Sequence, residues 1–167
     1  TQQALRVRGL ASVYLSGRDS VFASAEAQDL VLWLQAVAHP LDVALARAAY
    51  ATALLDLPLA ELCAGVDDET VLEQQLETLR QLNAIWQRQG VLPMLRQTIH
   101  RLDLAARWLA AGHGQGERKL TNVLHLAELL QQASATLEGE QALIRWLVQQ
   151  VHLATQGARG NDAEEQM

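Results

Sequence analysis

Three features of the sequence predict an almost all-α protein, a multi-helix bundle with one short extended segment near its N-terminus. Leu, Ala and Gln dominate over β-branched residues, which favours helix by intrinsic propensity. Half the residues are hydrophobic but only 4% are aromatic, which completes that helical bias. Third, apolar residues recur at three- and four-residue steps, most clearly from Glu117 to Val151. There Leu120, Val123, Leu124, Ala127, Leu130, Ser134 and Leu137 form one stripe, while Arg118, Asn122, Gln131 and Gln132 look outward. After a break at Glu138-Gly139-Glu140, the residues Leu143, Ile144, Leu147, Val148 and Val151 restart the period. So short a turn sets two helices close and largely antiparallel, each burying its stripe against the other and a shared core.

In chain order, Gln2 to Arg8 reads as a helix closed by Gly9. Ala11 to Ser16 (ASVYLS), β-branched and aromatic between Gly9 and Gly17, is the extended segment. A lone strand makes no sheet, so it either pairs outside this chain or lies over the helices. Ser24 caps the next helix, with Glu26 in its first turn at the positive end of the dipole. Leu30, Trp33, Leu34 and Val37 form its buried face and His39-Pro40 ends it, because the residue before proline avoids the helical region. Leu41 to Leu55, rich in Ala with a lone Arg47, is expected to be largely buried, and Pro58 opens a short helix ending near Gly65. Asp67 and Asp68 start a long helix to about Gln89, with Leu72, Leu76, Leu79, Asn83 and Trp86 at the repeating step. Gly90 breaks it, and Pro93 sits in the first turn of the next segment, where its missing N–H costs nothing. Met94, Leu95, Ile99, Leu102 and Leu109 continue the core before the glycine-rich loop Ala111 to Gly116.

A chain of 167 residues is about one domain and holds a core without metal or disulfide. The single Cys63 excludes an internal disulfide and fits a reducing cytoplasm. No apolar run approaches membrane-spanning length and no basic-then-apolar signal opens the chain, so no membrane contact is expected. The opening TQQALRVRGL reads as the end of a helix and Gly157 to Met167 is a polar tail, which suggests a piece of a longer polypeptide.

Charge is unevenly spread. From Asp56 to Glu77 there are seven acidic residues and no Lys or Arg. From Arg80 to Lys119 the balance reverses: Arg80, Arg88, Arg96, Arg101, Arg107, Arg118 and Lys119 stand against Asp103 and Glu117. Twelve arginines to one lysine favours the side chain whose planar fork grips phosphates. These seven cations are the candidate DNA-binding residues. The competing reading is solvated helix faces that pair with the acidic stretch. A net charge of −6 excludes a general nucleic-acid sponge.

Catalytic constellations are absent from the pattern. His125 and Glu128 share a helix face but have no second pair and no HExxH, so a structural histidine is the better reading. His113, between Gly112 and Gly114, lacks the surroundings of a phosphate loop. Cys63, beside Leu62 and Ala64, reads as core filler, and Trp33, Trp86, Trp108 and Trp146 fall on apolar faces suited to packing. No catalytic, cofactor-binding or metal-binding residue is predicted.

Ser12 to Ala27 (SVYLSGRDSVFASAEA), Ile85 to Leu95 (IWQRQGVLPML) and above all Gly116 to Val148 (GERKLTNVLHLAELLQQASATLEGEQALIRWLV) resemble the RecB family, the beta subunits of exodeoxyribonuclease V. The family belongs to the UvrD-like superfamily 1 helicases. Tyr14, Gly17, Phe22, Glu26 and Asp29 match its pattern of strand, turn and acidic helix start where the RecA-like domain 2A passes into the inserted helical domain 2B. The resemblance implies residues 1–16 as the end of 2A or a linker, 17–156 as the 2B-type accessory domain and 157–167 as a flexible tail. It further implies a parent that is an ATP-dependent 3′–5′ DNA helicase and nuclease, using ATP and Mg, joined to alpha and gamma subunits and working on duplex or forked DNA in recombinational repair. The family's ATP-binding, arginine-finger and nuclease motifs lie outside this chain, so the chain itself is expected to bind no cofactor. Thr52 to Leu62 (TALLDLPLAEL) departs from simpler relatives, which carry there a Gly-Ile-Gly turn that contacts duplex phosphates. The resemblance thus leaves two roles: positioning duplex DNA through the basic stretch, or docking partner subunits without DNA contact.

Overall fold

A computed structural model describes residues 21–165, with side chains through residue 160. The predicted helix Gln2 to Arg8 and extended segment Ala11 to Ser16 lie outside the described residues. Among these there are eight helices and no strand: α1 Ala25–Ala38, α2 Val43–Tyr50, α3 Leu59–Asp67, α4 Glu69–Gln89, α5 Val91–Arg101, α6 Leu104–Ala110, α7 Gln115–Ser134 and α8 Gly139–Glu165. The all-α bundle predicted from composition and period is what forms. No helix of the described residues is long and apolar enough to cross a membrane.

Helix α1 is the hub, packed against α2, α4, α7 and α8. Ser24 caps it by accepting the Ala27 N–H at 3.3 Å. Ala27, Leu30, Trp33, Leu34, Ala36 and Val37 are buried, a wider face than one stripe because helices close on α1 from several sides. Trp33 meets Tyr50 edge-on at 5.4 Å between ring centroids and donates to Thr98 Oγ1 at 3.1 Å, while Thr98 donates to the Met94 carbonyl. Burial pushes the Tyr50 phenol up to about 12, against the opposing hydrogen bond with Thr78.

The connection between α2 and α3 is not helical, yet Leu54 and Leu55 are buried in it. Asp29 of α1 accepts the Leu54 N–H at 3.0 Å, and Trp108 of α6 donates to the Leu54 carbonyl at 2.7 Å. Lys119 of α7 donates to the neighbouring Ala53 carbonyl at 2.8 Å, with its ammonium 5.7 Å from the centre of the Trp108 ring. Gly116 lets α7 approach Trp108: a Cβ there would lie 1.9 Å from the Trp108 carbonyl oxygen.

Several sequence expectations need correction. The Leu41–Leu55 stretch is half exposed: α2 is a short helix on the periphery, and Leu41 is 75% exposed because the turn after His39-Pro40 carries it off the core. Leu109 is exposed because Asp103, in left-handed conformation, ends one helix and starts another, so the apolar phase resets and Trp108 turns inward. Val148 is exposed because α8 rests mainly on α1 and less on α7, the partner predicted for it. Gln131 points inward and accepts the Leu92 N–H at 3.1 Å, serving the unsatisfied start of α5 that Pro93 cannot help. Cys63 is exposed, not core filler, since α3 touches the bundle mainly through its other side. Helix α8 continues through Gly157 and Gly160 to Glu165, into the stretch read from sequence as a polar tail.

The Leu54 clamp carries two predictions. Trp108→Phe leaves the buried Leu54 carbonyl without its donor and should lower stability by about 1–3 kcal/mol in urea denaturation. Gly116→Ala should cost about 3 kcal/mol, the upper part of the overpacking range, because the colliding atom is backbone and cannot swing aside.

Candidate nucleic-acid interface

The seven predicted cations do not form one face. Four share a helical hairpin: Arg80 and Arg88 on α4, Arg96 and Arg101 on α5. Gly90, at φ 104°, reverses the chain between these helices, a conformation that a side chain strongly resists. Arg101 donates to Gln81 across the hairpin, so residues nearly symmetric about Gly90 face one another. All four arginines are exposed, and no Asp or Glu occurs between Arg80 and Arg101. Arg80 pairs locally with Glu77 at 3.2 Å, and Arg88 Nε donates to the Ala84 carbonyl one turn back. Among the described residues neither Arg88 nor Arg96 has an ion-pair partner.

The other three point elsewhere. Arg107 is half-buried and reaches Glu61 of α3 at 3.6 Å. Lys119 is committed to Ala53 and the Trp108 ring. Arg118, on α7, borders a shallow cleft lined also by Ser24, Glu26 and Asn122. The hairpin therefore holds four of the seven predicted cations, all exposed, with Glu77 the acidic side chain paired to one of them.

Polar contacts on the inner side of α4 hold the hairpin in this attitude. Asn83 donates to the Val37 carbonyl at 3.0 Å and to the Glu140 carboxylate at 3.0 Å, tying α4 to the end of α1 and the start of α8. Gln87 reaches the same carboxylate at 3.5 Å, and Gln141 contacts the His39 ring at 2.7 Å. Burial raises the Glu140 carboxyl above its ordinary range, opposed by Gln87, Asn83 and the nearby His39. Asp29 is likewise raised by burial, opposed by the Leu54 N–H and Lys119. Sequence periodicity placed Asn83 on the apolar stripe; a polar residue in a stripe was the available signal for this junction. Nothing in the sequence marked Asp29 and Trp108 as partners of Leu54.

The remaining candidates carry no assembled chemistry. His125 is half-buried and Glu128 exposed, and His113 sits at φ 63° in the exposed turn before α7. Trp33, Trp86 and Trp108 are buried, while Trp146 is half-buried against Phe22 at 5.6 Å between ring centroids. Among the described residues no three His, Cys, Asp or Glu side chains converge into a metal-ligand cluster.

No family model matches the chain. It is 40% identical over 150 residues to the RecBCD enzyme subunit RecB of Escherichia coli, a match covering 90% of this chain and 12% of the relative. The chain is homologous to a segment of RecB. The RecB subunit of Haemophilus influenzae is 38% identical over 147 residues, 88% of this chain and 12% of its own length. RecB of Buchnera aphidicola from Acyrthosiphon pisum is 26% identical over 159 residues, 93% of the chain and 13% of the relative. The chain thus spans about an eighth of the RecB subunits it matches. The matched extent includes the hairpin and the Leu54 clamp.

The junction of α4 with α8 should respond to pH. A carboxyl raised in the folded state stabilises the fold while protonated, and that contribution is lost as pH rises from the ordinary carboxylate range through the higher folded value. Glu140→Gln keeps an acceptor for Asn83 and removes the titration. In denaturant melts from about pH 4 to 7 the variant should gain on the parent chain as pH rises.

Proposed function

We propose that this chain is a non-catalytic accessory domain, of the 2B type, in a RecB-like ATP-dependent 3′–5′ DNA helicase and exonuclease of the cytoplasm that serves recombinational repair of double-strand breaks. Its task is to position duplex DNA ahead of the fork. The observation that carries this reading is the α4–α5 hairpin: four exposed arginines and no carboxylate between Arg80 and Arg101 in a chain of net charge −6. Guanidinium groups bind phosphate oxygens in a planar fork and need no particular base, which suits a domain that must tolerate any sequence passing beneath it. The exposed carboxylates Asp56, Asp67, Glu69 and Glu73 cluster at α3 and the start of α4, so DNA is favoured at the hairpin over that end of the domain.

In this reading the chemistry belongs to the parent. ATP and Mg would act in its motor and nuclease domains, and the alpha and gamma subunits would complete the assembly. The domain supplies geometry. Asn83, Gln87 and Glu140 fix α4 to the bundle, so motion of a neighbouring motor domain would carry the arginine surface as a rigid unit.

The test is fluorescence anisotropy of a labelled forked duplex titrated with the chain at low and moderate salt. Weak, sequence-independent binding is expected, with affinity falling as salt rises because phosphate contacts release counterions. The double variant Arg88→Glu/Arg96→Glu should reduce affinity at least about tenfold and flatten the salt dependence, since each lost phosphate contact lowers the slope by roughly one. Absence of binding at low salt, or equal binding by the variant, would sink the proposal.

A further inference from the structure

Helix α3 is the least enclosed element of the bundle, although its sequence, LAELCAGVD, is mostly apolar. Its single buried residue, Gly65, lies against the Gln75 side chain of α4, where a Cβ would stand 3.1 Å from the amide nitrogen. Leu62 and Ala64 are half-buried. The outer side keeps Leu59 at 75% exposure, Val66 at 60%, and Cys63 exposed between them. These three are spaced i, i+4 and i+7, one stripe of a helix and not scattered surface residues. Isolated exposed leucines need no explanation, but an aligned set on a helix with so little inward packing does.

The surroundings specify the charge of what could cover it. Asp56 precedes the helix, Asp67 ends it, and Glu69 and Glu73 stand exposed on the first turns of α4, which packs beside it. Asp68 is used as the N-cap of α4, and Glu61 is matched by Arg107. Among the described residues Asp56, Asp67, Glu69 and Glu73 have no ion-pair partner. An apolar stripe rimmed by unmatched carboxylates repels nucleic acid and also repels the same face of another copy. The arginine hairpin of a second copy is a poor match too, because none of its residues is a large exposed hydrophobic.

We propose that the outer face of α3 docks a basic amphipathic helix of a partner polypeptide. Aliphatic side chains at i, i+3, i+4 and i+7 of that helix would cover Leu59, Cys63 and Val66, and flanking Lys or Arg would meet Asp56, Asp67, Glu69 and Glu73. The proposal is independent of DNA binding by α4–α5, since it uses the opposite charge. It rests only on the chain working as part of a larger assembly.

Cys63 is the only cysteine and lies in the stripe, so its alkylation by iodoacetamide reports directly on coverage. The probe is a synthetic leucine–lysine peptide with leucine at i, i+3, i+4 and i+7, compared with one having Gln for Leu and one having Glu for Lys. The leucine–lysine peptide should bind and slow alkylation of Cys63 several-fold, with binding weakened by salt, and neither control should protect. Leu59→Gln/Val66→Gln should reduce peptide affinity about tenfold or more while retaining the parent circular dichroism spectrum and forked-duplex binding. Glu69→Gln/Glu73→Gln should weaken the peptide complex and shrink its salt dependence. Equal binding of the Gln-for-Leu peptide, or undiminished Cys63 reactivity in the complex, overturns the proposal. So does sedimentation showing that the chain self-associates and hides Cys63 without peptide, for instance through the exposed Val148 and Leu153 of α8 near Arg145.

Discussion

The structure depends on the demand that a buried backbone group find a partner. Leu54 lies in the core on a stretch of chain with no helix to satisfy it, and both its N–H and its carbonyl are met by side chains, from Asp29 and Trp108. These residues belong to α1 and α6, far from Leu54 and from each other in sequence. Satisfying the backbone of one residue therefore ties together three parts of the bundle. Gly116 extends the constraint to α7, because only a residue without a side chain lets that helix reach the Trp108 backbone. Lys119 closes the arrangement from the same helix and is thereby withdrawn from any external role.

The fold also explains how one acidic domain can present two opposite faces. The sequence alternates in blocks, acidic from Asp56 to Glu77 and basic beyond Arg80, and the chain reversal at Gly90 gathers the second block into a hairpin. Helix α4 belongs to both blocks: its first turns stand beside α3 with carboxylates outward, and its last turns carry Arg80 and Arg88. One helix therefore separates the two fields along its length. Ion pairing between the blocks is sparse among the described residues, limited to Arg80 with Glu77 and Arg107 with Glu61. Charges left unmatched within a domain are available to something outside it.

Homology with a segment of RecB agrees with this economy. The unit spans about an eighth of its relatives, and the described residues gather no metal-ligand cluster. What the unit offers is a rigid frame with differentiated surfaces. Its polar interior contacts, from Trp33 to Thr98 and from Asn83 to Glu140, orient helices more than they bury area.

The sequence by itself determined the all-α class, the breaks at His39-Pro40, Gly90 and Gly139, the caps at Ser24 and Asp68, and the buried stripe of α1; on α7 it found Val123, Ala127 and Leu130 but not the equally buried Leu126 and Leu129. Each follows from local chemistry, because period, proline geometry and capping act within a few residues. Its block charge pattern also marked the cationic stretch from Arg80 to Lys119, without separating the exposed hairpin arginines from Arg107 and Lys119. Tertiary structure decided the rest: which cations stay free, why Gln131 turns inward, why Cys63 turns outward, and why α8 leans on α1. Arg107 and Lys119 look like Arg88 and Arg96 in sequence, yet Glu61 and the Ala53 carbonyl claim them across the fold. Partners so distant in the chain leave no trace in periodicity, since their meeting depends on how whole helices pack and on the backbone groups that packing leaves to be satisfied.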